Sequence, residues 1–153
     1  MSSATLNVPV SQSADEAAIL AIVETLRQCH HDKNVALFAA QFAGNAAIYN
    51  LAPPLVHRGV DLEEKQDWFD SWATPVDLEA REFKVTVSGD FAFCHGYMNM
   101  RGTKKGADDG VDFWMRETLC LERRAGRWQI VHEHTSVPFY MDGSLRPAFD
   151  LRP

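Results

Sequence analysis

The chain has 153 residues, 15 Lys plus Arg against 21 Asp plus Glu, a formal net charge of -6, and 46% hydrophobic residues. That length fits one domain with one core, the apolar fraction excludes a mostly disordered chain, and an acidic balance with no more than two consecutive basic residues excludes the usual footprint of a nucleic-acid binder. No apolar run approaches the roughly 20 residues needed to cross a bilayer, and the start MSSATLNVPVSQSADEAA lacks the basic and apolar regions of a secretory leader, so we expect a soluble cytoplasmic protein with no membrane partner.

Residues 1–14 are Ser-rich and aperiodic and read as a flexible arm. Asp15 and Glu16 place acidic charge in the first turn of a helix, and Ile19, Ile22, Val23 and Leu26 then recur at helical spacing. A second, shorter helix starts near Asn34 as N-cap, carries Leu37, Phe38, Gln41 and Phe42 on one side and stops at Gly44, so the two helices form a hairpin. AAIYNL at 46–51 reads as a short strand that APP must end, because Pro cannot donate to a ladder. Asp61 caps a third helix with Glu64 three residues on; Leu62, Phe69 and Trp72 form its apolar stripe, with Trp68 beside them.

After Pro75 the period changes from 3.6 to 2. Segments 78–88, 91–103, 111–123 and 127–138 read as four strands of an antiparallel meander, joined by tight turns at SGD and RAG and by the polar loop KKGADDG. The expected architecture is α+β: three N-terminal helices on one face of a curled antiparallel sheet, with the space between them as a small-molecule pocket. Residues 15–138 form that domain, and the tail 139–153 offers no clear element. Cys29, Cys94 and Cys120 are odd in number and widely spaced, which suits buried reduced thiols and neither a disulfide frame nor a zinc site.

Alternation sorts the strand faces. On the last strand Trp128, Ile130, His132, His134 and Ser136 share one side, and Glu133 points away from both histidines. On 111–121 the mixed set Asp112, Trp114, Arg116, Thr118 and Cys120 is expected inward, and the apolar set Val111, Phe113, Met115, Leu119 and Leu121 outward. Along 91–103 the pattern leaves the inward face open, and if its polar set turns inward His95 joins the other histidines.

Three readings of the HEH stretch stand side by side. Because an imidazole side chain ordinarily changes charge near neutral pH, His132 or His134 suits acid/base work, with Arg116 stabilising an oxyanion. The pair also has the spacing of metal ligands, for which Asp112 or His95 would be the third donor. Or the histidines simply line the cavity. Trp68, Trp72 and Trp114 read as cavity walls. No phosphate-cradling glycine motif is present, and we expect no cofactor.

The stretches VTVSGDFAFCHG (85–96), DFWMRETLCLERRAGRW (112–128) and IVHEHTSVPF (130–139) resemble the last three strands of SnoaL-like and ketosteroid-isomerase-like members of the nuclear transport factor 2-like superfamily. The resemblance implies a cone-shaped α+β barrel with a conical cavity. It also implies isomerase, cyclase, dehydratase or purely binding roles, and a dimer through the outer sheet face, there formed by Val111, Phe113, Met115, Leu119 and Leu121. The Asp base, the Tyr and the neutral Asp of ketosteroid isomerases have no counterpart. Asn50 or Tyr49, Leu26, and Thr118 or Arg116 stand in their places, so steroid isomerisation by that route is not expected. Scytalone dehydratase resembles the chain in residue type, with His95, His132, His134 and Tyr49 as candidates. The expected ligand is a small apolar or aromatic molecule bearing an oxygen or carboxylate. It is held by Tyr49, Asn50, Trp68, Trp72, His95, Asp112, Trp114 and Thr118, with His132, His134 and Arg116 as catalytic groups. The alternatives are a non-catalytic binding or association module and a metal-dependent enzyme built on the two histidines.

Overall fold

Residues 13–153 are described by the computed structural model; most of the expected N-terminal arm lies outside them. Ser13 Oγ accepts a hydrogen bond from the Glu16 amide at 3.1 Å and starts α1 (Ala14–Asp32). The helix buries Ile19, Ile22, Val23, Leu26 and Cys29, and ends where Lys33 turns left-handed (φ 55°) and its amide bonds the Cys29 carbonyl. Asp15 anchors its start by accepting from Trp128 Nε1 at 3.1 Å and pairing with Arg123 at 2.8 Å.

Asn34 caps α2 (Val35–Ala39), which stops five residues before Gly44. Phe42 already begins β1 (Phe42–Tyr49), so Gly44 lies inside a strand and does not end the helix. Strand β2 (His57–Arg58) pairs antiparallel with β1. There Gly59 (φ 74°) passes so close to Gly44 that a Cβ would stand 2.4 Å from the Gly44 carbonyl oxygen. Asp61 caps α3 (Leu62–Asp70), accepting from the Glu64 amide at 2.9 Å. Leu62 is exposed, contrary to the expected stripe, whereas Phe69 is fully buried and Trp72, just past the helix, is 2% exposed.

Four long strands complete the chain: β3 (Asp77–Ser88), β4 (Phe91–Gly102), β5 (Val111–Arg124) and β6 (Arg127–Ser136). The turns fall where expected, with Gly89, Ala125 and Gly126 all at positive φ. The sheet order is β2-β1-β6-β5-β4-β3, with β1 parallel to β6 and the other pairs antiparallel. It is therefore a six-stranded mixed sheet, curled but unclosed, on which the three helices pack. The pure meander expected from the sequence lacked β2 and the β1–β6 pairing. Ile19, Met98, Leu119, Leu121 and Ile130 form the centre of the core between the layers.

Two bulges set the faces. In β6, Leu121 pairs with Ile130 but Cys120 pairs with His132, leaving Val131 as an extra residue. An added residue inverts every side chain beyond it. Trp128 and Ile130 thus face the helices, and after the bulge it is Glu133, 7% exposed, that does so. His134 is exposed and His132 half-buried on the other side. A second shift falls between Arg81 and Lys84 of β3, where Glu82 has φ 56°.

On β5 the inward set is Phe113, Met115, Glu117, Leu119 and Leu121, the reverse of the expected assignment. The premise failed because the apolar side is the one the helices need. The same side therefore does not form the outer surface for a twin subunit. On β4, left open by the pattern, Ala92, Cys94 and Met98 point inward and His95 and Tyr97 outward. All three cysteines are free; Cys29 and Cys94 are buried and Cys120 is half-buried. The tail folds on itself, with the Tyr140 amide bonded to Arg146 O at 2.9 Å, and seats Phe149 with its ring 4.4 Å from that of Phe113. Among the described residues no helix is long and apolar enough to cross a membrane.

Candidate active site

Two carboxyl groups, a lysine and a histidine meet between the helices and the sheet. Glu117 on β5 faces Thr135 in the register, and Glu133 on β6 faces Leu119, so the acids are diagonal neighbours on adjacent strands. Diagonal partners on one sheet face are within reach of long side chains. Burial, then the charge of Glu133 and a hydrogen bond to it, lift Glu117 well above the ordinary carboxylate range. Burial also raises Glu133, but the Lys65 ammonium and the bond from Glu117 pull it back. The stable arrangement is one shared proton: Glu117 as the acid donating to a Glu133 carboxylate.

Lys65 reaches in from α3, where it lies three and four residues before Trp68 and Phe69 and so shares their face. Its Nζ sits 4.2 Å from the centre of the Phe38 ring, 4.4 Å from Trp68 and 4.8 Å from Phe69. Nζ donates to His30 Nε2 at 3.2 Å. The direction follows from the other ring nitrogen: His30 Nδ1–H donates to the Leu26 carbonyl at 2.7 Å, which leaves Nε2 as acceptor. Burial and the adjacent Lys65 charge push His30 down to about 3, so it is neutral. Burial brings Lys65 down to about 8, opposed by the Glu133 charge. The chemistry available is a neutral acid, a carboxylate, an amine of reduced basicity and a fixed acceptor, beside the partly accessible apolar groups Trp68, Met100 and Met115.

Of the eleven residues expected from the sequence, only Trp68 and Trp72 belong to this interior. Tyr49, Thr118, His132 and His134 lie together on the outer face, with the Tyr49 ring 4.9 Å from His132 and 5.4 Å from His134. His132 bonds the Ala47 carbonyl at 2.7 Å. Arg116 is exposed and donates to Ser136 Oγ at 3.1 Å. His95 is exposed and stacks on Phe93, Trp114 lies under the Arg81 guanidinium at 4.4 Å, and Asp112 accepts from Asn99 at 2.8 Å. Asn50 is exposed just beyond β1. The ring centres of His132 and His134 are 6.3 Å apart, and among the described residues no three His, Cys, Asp or Glu side chains converge as metal ligands.

The sequence held signals for part of the missed set. Glu117 stands in the apolar phase of β5, between Met115 and Leu119, and an acid there must be buried or paired. Lys65 falls at helical spacing from Phe69. Glu133 was hidden by the bulge, and His30 falls in the last turn of α1, where a histidine ordinarily just complements the helix dipole.

Helices on a curled, open sheet with ionisable groups enclosed between the layers define a cone-type α+β fold. The chain matches the SnoaL-like domain over residues 17–140, and it belongs to that family. It is similar to a nuclear transport factor 2-like protein of unknown function from Pseudomonas putida (25% identity, 92% of this chain and 97% of that one, TM-score 0.80). It also shares its fold with a candidate scytalone dehydratase from Novosphingobium aromaticivorans (12% identity, 87% and 90% coverage, TM-score 0.73). A third similar structure is a candidate ketosteroid isomerase from Shewanella frigidimarina (24% identity, 80% and 98% coverage, TM-score 0.66). Among curated proteins none matches.

Proposed function

We propose that the protein binds a small, largely apolar molecule between helices and sheet and moves a proton on it without a cofactor, in an isomerisation, cyclisation or dehydration. In this reading Glu133 is the base and Glu117 the acid, in place of His132, His134 and Arg116 on the outer face. The observation that carries it is the placing of two buried acids, Glu117 and Glu133, 6% and 7% exposed, side by side on adjacent strands, so that one can hold a proton next to a carboxylate. Burial, which raises the Glu133 carboxyl, also makes its carboxylate a stronger base than a solvated one. A neutral oxygen function fits better than a ligand carboxylate, which would stand against the Glu133 charge. The names of the similar dehydratase and isomerase structures agree with proton transfer but bring only the fold.

Cyclohexanone in D2O tests the reading. Wild-type protein is expected to speed exchange of its α-protons and to shift the methyl resonances of Met98, Met100 and Met115, while Met141, 86% exposed on the tail, serves as the control. Equal exchange by wild type and Glu133→Gln, with shifts confined to Met141, refutes it.

A second reading, association, is favoured by the exposed aromatic residues Tyr49, Phe91, Phe93 and Tyr97. All four lie on the outward side of their strands, and a two-fold dimer pairing this face of two copies would cover them. The mass in solution tests it: a monomer at all concentrations removes it.

A further inference from the structure

We infer that Lys65 is a covalent capture residue, forming an imine with a small apolar aldehyde or ketone held between helices and sheet. This names the substrate class of the site proposed above and rests on its being a ligand site.

The placement of Nζ carries the inference. Lysine is normally a hydrated surface charge. Here its stem is half-buried and its nitrogen stands among the rings of Phe38, Trp68 and Phe69, and no carboxylate lies within 4.0 Å of it among the described residues. An amine taken out of water beside apolar rings is the form that adds to carbonyl carbon. Its contact to His30 Nε2 holds one N–H in place. The His30 ring is itself fixed by its bond to Leu26 and by edge contacts to Phe38, Trp68 and Phe69 at 5.3 to 5.8 Å. With the amine brought down to about 8, roughly one-tenth is unprotonated at pH 7.

The other need of imine formation is an acid for the departing oxygen. The neutral amine adds to the carbonyl carbon and the nitrogen proton passes to the new alkoxide, giving a carbinolamine. A proton from the Glu117–Glu133 pair carries the hydroxyl out as water, the C–N double bond forms, and the nitrogen returns its remaining ionised proton to the pair. Aldehyde plus amine gives imine plus water, with no change of oxidation state and no co-reactant. A neighbouring carboxylate could then remove a proton from the carbon next to the imine, which joins this step to the proton transfer proposed for Glu133.

Benzaldehyde, which has no α-proton, separates capture from exchange. The full chain is incubated with it and sodium cyanoborohydride, and the adduct is located by intact mass and peptide mapping. The chain has five lysines, Lys33, Lys65, Lys84, Lys104 and Lys105, so four serve as internal controls. Lys65 should be modified at least tenfold faster than any other, with the rate rising with pH through about 8. Lys65→Arg, checked for folding by circular dichroism, should lose that adduct. Labelling spread evenly over the five lysines, or Lys65 reacting last, overturns the inference. If Lys65 is not captured while wild type still exchanges cyclohexanone α-protons through Glu133, the proton-transfer reading stands and only the imine falls.

Discussion

Replacing Glu117 by Gln tests the shared proton, on which the site depends. Gln keeps the shape, and its amide can donate to Glu133 as the protonated carboxyl does, but it has no proton to lose. Glu117 is lifted above its ordinary range in the folded state by burial and by Glu133. Below about pH 4 the group is protonated in both states and its contribution is complete. As pH rises the unfolded chain ionises first, so the fold loses stability until Glu117 itself ionises. In that window the wild type carries one extra proton when folded, which is worth about 1.4 kcal/mol per pH unit. For a chain of this size 1 kcal/mol moves Tm by about 2–4 °C, so the stability of Glu117→Gln relative to wild type should improve by roughly 3–6 °C per pH unit above pH 5. Because His30, Lys65 and Glu133 are present in both proteins, the difference isolates the Glu117 proton to first order. Calorimetric Tm values at half-unit steps from pH 5 to 7 provide the measurement. Parallel curves would show that Glu117 is ionised in the fold, and the assignment of acid and base would fail.

The opposite sign is expected at His30, whose folded value near 3 lies below that of a free imidazole. Wild-type stability should fall relative to His30→Phe as pH drops from about 6.5 towards 3, by about 1.4 kcal/mol per unit, read from urea midpoints at each pH. Gly96→Ala should destabilise by roughly 1–3 kcal/mol, because its Cβ would stand 2.5 Å from Phe83 Cδ2 and 2.9 Å from the Arg81 carbonyl oxygen. A lowered denaturant midpoint at unchanged slope is the expected result, and an unshifted midpoint would show that β3 yields at its bulge.

How much of this was legible depends on how local the signal is. The Asn34 and Asp61 caps, the Ile19 to Leu26 stripe and the turns at Gly89 and Gly126 each depend on a few consecutive residues, and each stands where the chain's pattern puts it. The pairing of β1 with β6 is non-local, and nothing in AAIYNL announces a parallel partner more than 80 residues away. The site failed to appear for a narrower reason. Face assignment by alternation assumes an unbroken count from Trp128 to Ser136, and WQIVHEHT contains no Gly or Pro to mark the break at Val131. One uncounted residue exchanged Glu133 for His132 and His134, replacing two outward-facing imidazoles in the expected pocket with one buried acid. On β5 the count was right and the premise wrong: the mixed face looked like a ligand wall, while the apolar face was taken as surface although it held Glu117. That acid is tolerated among Met115, Leu119 and Leu121 because the bulge brings Glu133 alongside to receive its proton, and Glu133 is tolerated because Lys65 descends from α3. The bulge, the misplaced acid and the helix lysine thus depend on one another, and residue-by-residue reading of any one of them finds only a local defect in the pattern.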